Sequence, residues 1–150
     1  MRQRVAIAQS LIMKPAILLM DEPFGALDHS TRQDMQLFIL EQWQKSNMTI
    51  FFVTHDLEEA VFLGTRTLVL SQYYASDSPL QQGAKIVTDI PIPGPHPKAT
   101  KFKYTDTMAQ LMEKIRTDGL EPDHCQHIKE FDLSHKNSFR TINAEEWRKK

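Results

Sequence analysis

Three short runs of mostly apolar residues, with almost no polar interruption, constrain the fold most. They are "AILLM", "TIFFVT" and "TLVL", and they predict strands at 17–20, 50–54 and 67–70. A strand with one solvent face alternates apolar and polar residues, whereas a strand covered on both faces is apolar throughout. We therefore expect each of the three strands to be covered on both faces, as in a parallel sheet.

The segments between these runs carry helix signals. "RQRVAIAQSLIM" has apolar residues at helical spacing and is closed by Pro15. Ser30 with Gln33 forms a capping-box pattern before a helix at 31–46, and Asp56 with Glu59 gives a similar start to "LEEAVFL". Helix and strand alternate three times, which predicts an α/β fold with helical crossovers.

The chain changes character after Ser71. Six of its eight prolines lie in 72–150, where the pattern predicts one or two short strands in "KIVTDIPI", a proline-rich linker and one helix stopped by Gly119. Residues 120–150 have few apolar anchors, and we expect a loosely packed extension. The predicted division is therefore 1–71 and 72–150.

Composition excludes several classes of protein. The net charge is −1, so bulk charge implies no nucleic-acid partner. The single cysteine, Cys125, rules out an internal disulfide framework and suits a reducing compartment. No apolar run approaches the roughly 18 residues of a membrane span. We expect a soluble, cytoplasmic protein.

Two adjacent carboxylates, Asp21 and Glu22, end the first strand, and His55 follows the second. Ligands bind at the carboxyl ends of parallel strands, so we expect the three side chains on one rim of the sheet. An aspartate at such a position can hold Mg²⁺ through water, a glutamate can polarise an attacking water, and a histidine can contact a terminal phosphate. Strand-end acids also commonly cap the next turn, and that alternative stays open here.

The motifs "ILLMDEPFGALD", "VTHD" and "LEEAVFLGTRTLVLS" occur in an order and at a spacing that resemble the ATPase subunit of ATP-binding cassette (ABC) transporters. The resemblance covers roughly residues 1–71. It implies the distal half of a P-loop NTPase (RecA-like) sheet. "FGALDHSTRQDMQ" is similar to the branch that imports nitrate, sulfonate and taurine, so the implied function is ATP hydrolysis that powers import of a small solute such as these anions.

This resemblance also implies a role for each matching residue. Asp21 would hold Mg²⁺ through water, and Glu22 would be the general base. Asp28 would communicate across a dimer of ATPase subunits, and His55 would contact the γ-phosphate of ATP. The implied cofactors are ATP and Mg²⁺. The implied partners are a second ATPase subunit and a transmembrane permease, with no nucleic acid, and the implied location is the cytoplasmic face of the cell membrane.

The opening "MRQRVAIAQSLIMKP" resembles the helix that follows the family's signature sequence. Arg2, Gln3 and Arg4 would then lie near the partner subunit's phosphate, although Arg2 and Arg4 fit solvated or packing roles equally well. The sequence contains no G-x-x-x-x-G-K-[ST] phosphate-binding loop. We therefore expect a C-terminal fragment of a longer ATPase, inactive alone. Because the family's N-terminal half supplies much of the cover of these strands, we expect an apolar sheet face and an unpaired strand edge to be exposed.

Two alternatives to an importer subunit stay open. One is an ABC-type ATPase without a transport role, and the other is a truncated, non-catalytic binding or regulatory module. "HCQH" (His124, Cys125, His127) offers metal ligands, but no second ligand pair follows at zinc spacing. The basic segment "KATKFK" (98–103) is interpreted as a solvated linker, and Tyr73 and Tyr74 as packing residues.

Overall fold

The computed structural model describes residues 2–46, 48–75, 83–123 and the backbone of 126–127. The helices are α1 (Arg2–Ile12), α2 (His29–Lys45), α3 (Leu57–Leu63) and α4 (Asp106–Ile115). The strands are β1 (Ile17–Asp21), β2 (Thr49–Val53), β3 (Arg66–Ser71), β4 (Tyr74–Ala75), β5 (Lys85–Pro91) and β6 (Gln126–His127). Short helical turns cover Thr100–Tyr104 and Arg116–Leu120.

Strands β1 and β2 form a parallel pair, with Ile17 opposite Thr49 and Asp21 opposite Val53. Helix α2 is the crossover between them, and together they confirm the α/β prediction at the level of a small parallel sheet with helices. A core cluster beside this sheet joins residues of α1, α2 and the turn after β1, namely Ile7, Phe24, Leu27, Met35 and Ile39.

The described residues cover these strands on one face only, and the exposed apolar face that the sequence predicts for this chain is present. Burial alternates along β1 and β2, and Leu19 is 74% exposed while Val53 is 65% exposed. Within the described part of the chain, helices pack on one side of the sheet only. We call the other side, formed by Ile17, Leu19, Phe51 and Val53, the bare face.

Strand β3 forms where it was predicted but does not join the parallel pair. Within the described ranges it pairs antiparallel with β5, from Arg66 opposite Pro91 to Ser71 opposite Lys85. The Arg66 guanidinium donates from Nε to Asp89 Oδ1 at 2.8 Å and also binds Oδ2, which ties the two strands together. The backbone hydrogen bonds of β3 are therefore made with β5, a strand close to it in sequence.

A second core lies between this antiparallel pair and helices α3 and α4. Its buried residues come from both sides of Ser71 and are Leu40, Val61, Phe62, Val69, Ile90, Ile92, Met108 and Ile115. The described part of 72–123 thus packs against the first part of the chain. The division at residue 71 stays a prediction, while 128–150 lie outside the described residues.

Three local predictions can be compared with the structure. Asp56 caps α3 as predicted, because its carboxylate accepts from the backbone N–H of Glu58 and Glu59. The predicted capping box at Ser30 is wrong, because α2 begins at His29 with Asp28 as its cap. Gly119 does not stop the last helix, since helical turns run on to Leu120.

Gly119 has a different function from the one predicted. A Cβ at this position would lie 2.4 Å from Val69 Cγ1, closer than any ordinary contact. Glycine therefore allows the turn after α4 to approach β3.

No helix in the described ranges is both long enough and apolar enough to cross a membrane.

Candidate functional site

The parallel pair brings two of the predicted site residues together. Glu22 follows β1 directly, and its backbone N–H donates to the carbonyl of Val53 at 2.9 Å, so the strand ends stay in register. His55 lies two residues after the end of β2, and its Nδ1 is 2.8 Å from Glu22 Oε1. The site therefore begins with a glutamate–histidine pair at the carboxyl ends of adjacent strands.

The backbone at Glu22 is unusual. Its φ is +42°, in the left-handed region that a non-glycine residue rarely adopts and that costs about 1–3 kcal/mol. The following turn is closed by hydrogen bonds from Gly25 N–H to the Glu22 carbonyl and from Leu27 N–H to the Phe24 carbonyl. The chain reverses sharply here, and this strained turn is what places the Glu22 carboxylate beside His55.

The glutamate controls the protonation of the histidine. The hydrogen bond to Glu22, and then the charge of Glu22, raise the pKa of His55 above its usual value. The side chain of His55 is 78% exposed and that of Glu22 is 51% exposed, so solvent screens the pair. With Nδ1 engaged by the carboxylate, Nε2 is the ring nitrogen left to contact a ligand.

A cleft of about 150 Å³ adjoins this pair. It is lined by Glu22, Gly25, Arg32, Thr54, His55, Asp56 and Glu59. Three of these residues are acids and one is an arginine. A polyphosphate would meet net negative charge here unless a cation or further basic groups came with it.

Glu59 and Arg32 are among the cleft residues that were not singled out as site residues from sequence. Glu59 is 5% exposed, and burial raises the pKa of its carboxyl group. The Nε of Arg32 is buried without a hydrogen bond and lies 4.0 Å from Glu59 Oε1. The sequence offered one signal for Glu59: it is an acid three residues before Phe62, on the apolar face of a short helix.

Asp21 lies beside the cleft rather than in its lining. Its side chain is exposed, at the end of β1 opposite Val53. Among the described residues, no group of three or more His, Cys, Asp or Glu side chains could hold a metal ion alone. A single carboxylate nevertheless fits Mg²⁺, which keeps several waters and takes the rest of its oxygens from phosphates.

The other predicted residues fall elsewhere. Asp28 Oδ1 accepts from Thr31 N–H at 3.0 Å, and this bond lowers the pKa of Asp28. Arg4 is exposed, while the side chains of Arg2 and Gln3 lie outside the described residues. His124, Cys125 and the side chain of His127 also lie outside the described residues. Tyr74 is 7% exposed and donates from its hydroxyl to the Gly83 carbonyl, as expected of a packing residue.

The interpretation of 98–103 as a solvated linker is wrong for two of its three lysines. Lys98 is 5% exposed, and the Lys103 side chain is 7% exposed. Each ammonium donates to groups of the first 71 residues, Lys98 to the Gly64 carbonyl and Lys103 to Gln36 and Glu58. Only Lys101 remains exposed, as a linker lysine would.

Comparison with known proteins finds similar ATP-binding proteins. No family model matches the chain. It is 58% identical over 71 residues to a taurine import ATP-binding protein of Rhizobium johnstonii, covering 47% of this chain and 27% of that protein. It is 38% identical over 130 residues to a nitrate import ATP-binding protein of Synechocystis, covering 81% of this chain and 47% of that protein.

A putative ATP-binding protein of Brucella melitensis is 38% identical over 115 residues, covering 77% of this chain and 45% of that protein. The chain therefore spans between 27% and 47% of the length of these three relatives. The relatives named for taurine and nitrate import agree with the motifs at 17–28 and 53–56. These matches support the assignment of the chain to the ATP-binding proteins of ABC transporters, in the branch that includes the taurine and nitrate import proteins.

Proposed function

We propose that this chain supplies part of the ATP-hydrolysing site of an ABC importer subunit. The observation that carries the proposal is the 2.8 Å contact between Glu22 and His55 at the carboxyl ends of β1 and β2, with Asp21 next to it. The same arrangement of acid, acid and imidazole suits hydrolysis of a magnesium nucleotide at the edge of a P-loop NTPase sheet. The family assignment supports the same conclusion.

Each of these residues has a distinct role in this proposal. Asp21 would hold Mg²⁺ through water, and the ion would supply charge neutralisation at the phosphate oxygens. Glu22 accepts a proton from the attacking water. His55, anchored by Glu22 through Nδ1, contacts the terminal phosphate through Nε2. Asp28, which caps α2 in this structure, contributes to communication with a second ATPase subunit.

The phosphate-binding loop has to come from residues other than these 150, since the sequence contains no G-x-x-x-x-G-K-[ST]. We propose a dimer of ATPase subunits bound to a transmembrane permease on the inner face of the membrane. The relatives' names favour a small solute such as nitrate or taurine as the imported compound. They also argue against an ATPase with no transport role.

A non-catalytic binding or regulatory module is the second candidate for the 150 residues alone. The acidic lining of the cleft and the lack of a phosphate-binding loop in the sequence favour it. The two candidates differ in what a complete site would do. Supplying the missing loop restores hydrolysis in the first case only.

A chimera tests the proposal. This chain replaces the region that it matches in the Synechocystis nitrate import ATP-binding protein, which brings the remaining half. We expect Mg²⁺-dependent ATP hydrolysis, and we expect Glu22→Gln to reduce it by about 10²–10⁴-fold while ATP still binds, because the amide cannot accept the proton. The matched control is Glu41→Gln, which removes an exposed acid of α2 that pairs with Lys45.

Either of two results would overturn the assignment. Hydrolysis by the Glu22→Gln chimera within threefold of the unmodified chimera would show that Glu22 is not the base. Steady phosphate release by residues 1–150 alone, abolished by Glu22→Gln, would show that the chain needs no phosphate-binding loop from elsewhere.

A further inference from the structure

A continuous chain of hydrogen bonds connects Lys103 with the residue before His55. Lys103 Nζ donates to Gln36 Oε1 at 3.0 Å, and Gln36 Nε2 donates to Glu59 Oε1 at 3.3 Å. Thr54 Oγ1 donates to the second oxygen of Glu59 at 2.9 Å. The same hydroxyl accepts from the backbone N–H of Asp56 at 3.0 Å. Four hydrogen bonds thus extend from the turn Thr100–Tyr104 to the two residues that flank His55.

The order of donors and acceptors in this series of hydrogen bonds is fixed at its Lys103 end. An ammonium group only donates, so the Gln36 atom that faces it has to be the carbonyl oxygen. The amide NH₂ of Gln36 is then directed to Glu59, whose carboxylate only accepts. Thr54 donates its hydroxyl proton to Glu59 and keeps a lone pair for Asp56 N–H. Without the lysine, the buried Gln36 carbonyl oxygen loses this donor.

Burial makes these hydrogen bonds expensive to lose. Gln36 is 2% exposed, Glu59 is 5% exposed and the Lys103 side chain is 7% exposed. Buried polar groups without partners are costly, because water cannot replace the missing contact. Lys103 is held further by Glu58 Oε1 at 2.8 Å and by the ring of Phe62, whose centroid is 4.4 Å from Nζ. Its position is therefore well defined.

We propose that Lys103 is a positioning residue of the candidate site, which acts through Gln36 and Glu59 on Thr54 and so fixes the strand end that carries His55. The effect on ATP hydrolysis rests on the proposed function, but the positioning itself does not. A segment beyond residue 71 thereby contributes to the geometry of a site built by β1 and β2.

Hydrogen–deuterium exchange followed by mass spectrometry tests the positioning on the 150-residue chain without nucleotide. We expect Lys103→Met to speed exchange in a peptide covering 51–60 by about tenfold, since hydrogen bonds at the start of α3 lose their support. Exchange in 106–115 is expected to stay unchanged. Lys103→Arg, which keeps a buried donor, restores protection in 51–60.

Two further variants serve as controls. Lys101→Met removes an exposed lysine from the same turn and leaves 51–60 unchanged. Gln36→Met combined with Lys103→Met has no larger effect on 51–60 than either change alone, because both break the same chain. An unchanged peptide 51–60 in Lys103→Met would overturn the proposal. So would equal acceleration of 51–60 and 106–115, because it would show that Lys103 acts on general packing only.

The chimera then tests the consequence for catalysis. Lys103→Met is expected to lower kcat by about tenfold with an unchanged KM for ATP, as for a displaced His55 whose phosphate contact counts mainly in the transition state. Altered exchange with unchanged kcat would overturn the link to catalysis. A failure of the proposed function appears separately, as a chimera in which Glu22→Gln leaves hydrolysis unchanged.

Discussion

Two of the sheets in the described part of the chain, β1–β2 and β3–β5, differ in how they are covered. The parallel pair β1–β2 packs on helices through one face and leaves Ile17, Leu19, Phe51 and Val53 exposed on the other. The antiparallel pair β3–β5 packs with α3 and α4 around a core in which Val61 and Phe62 are at most 1% exposed. Strand β3 also leaves Leu68 and Leu70 exposed on its other face, so the two sheets differ in how fully the packed face is enclosed.

This difference separates function from stability. The residues of the candidate site stand on the less fully enclosed sheet, β1–β2. The more fully enclosed core belongs to β3–β5. Lys103 connects them, since it reaches from the turn before α4 to Gln36. The predictions below test whether the two regions differ as much as their burial indicates, from the largest expected effect to the smallest.

The largest effect concerns the bare face. An apolar face with unpaired strand edges beside it associates with other chains. We expect the purified chain to self-associate, with an apparent mass well above 17.4 kDa in light scattering, and to bind an apolar dye. Replacing two directly opposed residues with a charge pair, Leu19→Lys with Phe51→Glu, should greatly reduce both signals.

A monomeric chain that unfolds in one sharp transition would contradict this expectation. Adding the part of the Synechocystis nitrate import protein that this chain does not match provides the complementary test. If that part covers the bare face, it should suppress self-association in trans, as the charge pair does.

The next effect compares one phenylalanine from each region. Phe62→Ala should lower the free energy of unfolding by about 3–5 kcal/mol, because it empties a fully packed position in the second core. Phe51→Ala should lower it by less than about 1 kcal/mol, since the ring is 57% exposed. Urea unfolding at sub-micromolar concentration, followed by tryptophan fluorescence, measures both. Equal losses would mean that Phe51 is covered in solution.

The smallest effect concerns the exposed pair at the site. Glu22 raises the pKa of His55 in the folded state, so this pair stabilises the fold below the unfolded-state pKa of about 6.5 and the contribution is lost as pH rises through the higher folded-state pKa. Glu22→Gln should return the pKa of His55 towards 6.5. Titration of the histidine carbon signals by NMR measures this shift.

The exposed acid Glu41 again provides the control for the titration. Glu41→Gln should leave the His55 curve unchanged, because Glu41 pairs with Lys45 at the far end of α2. A His55 pKa that did not move in Glu22→Gln would show that the 2.8 Å contact is not maintained in solution.

Local patterns in the sequence determined much of this fold. Uninterrupted apolar runs predicted β1, β2 and β3, and the cap at Asp56 predicted the start of α3. The order of strand, acids, helix and strand predicted that Glu22 and His55 would meet, because the carboxyl ends of parallel strands share one edge. Side-chain periodicity and capping depend on neighbours within a few residues, so the sequence contains the necessary information.

Only the tertiary structure decided which strand pairs with β3, which faces are covered and where the lysines of 98–103 lie. A backbone ladder has the same hydrogen-bonding groups whatever its partner, so the apolar run of β3 does not distinguish β5 from a parallel neighbour. A lysine in a polar, proline-rich segment looks solvated until a buried amide such as Gln36 is brought to it from 67 residues away. Such contacts form through the folded chain, and no local pattern encodes them.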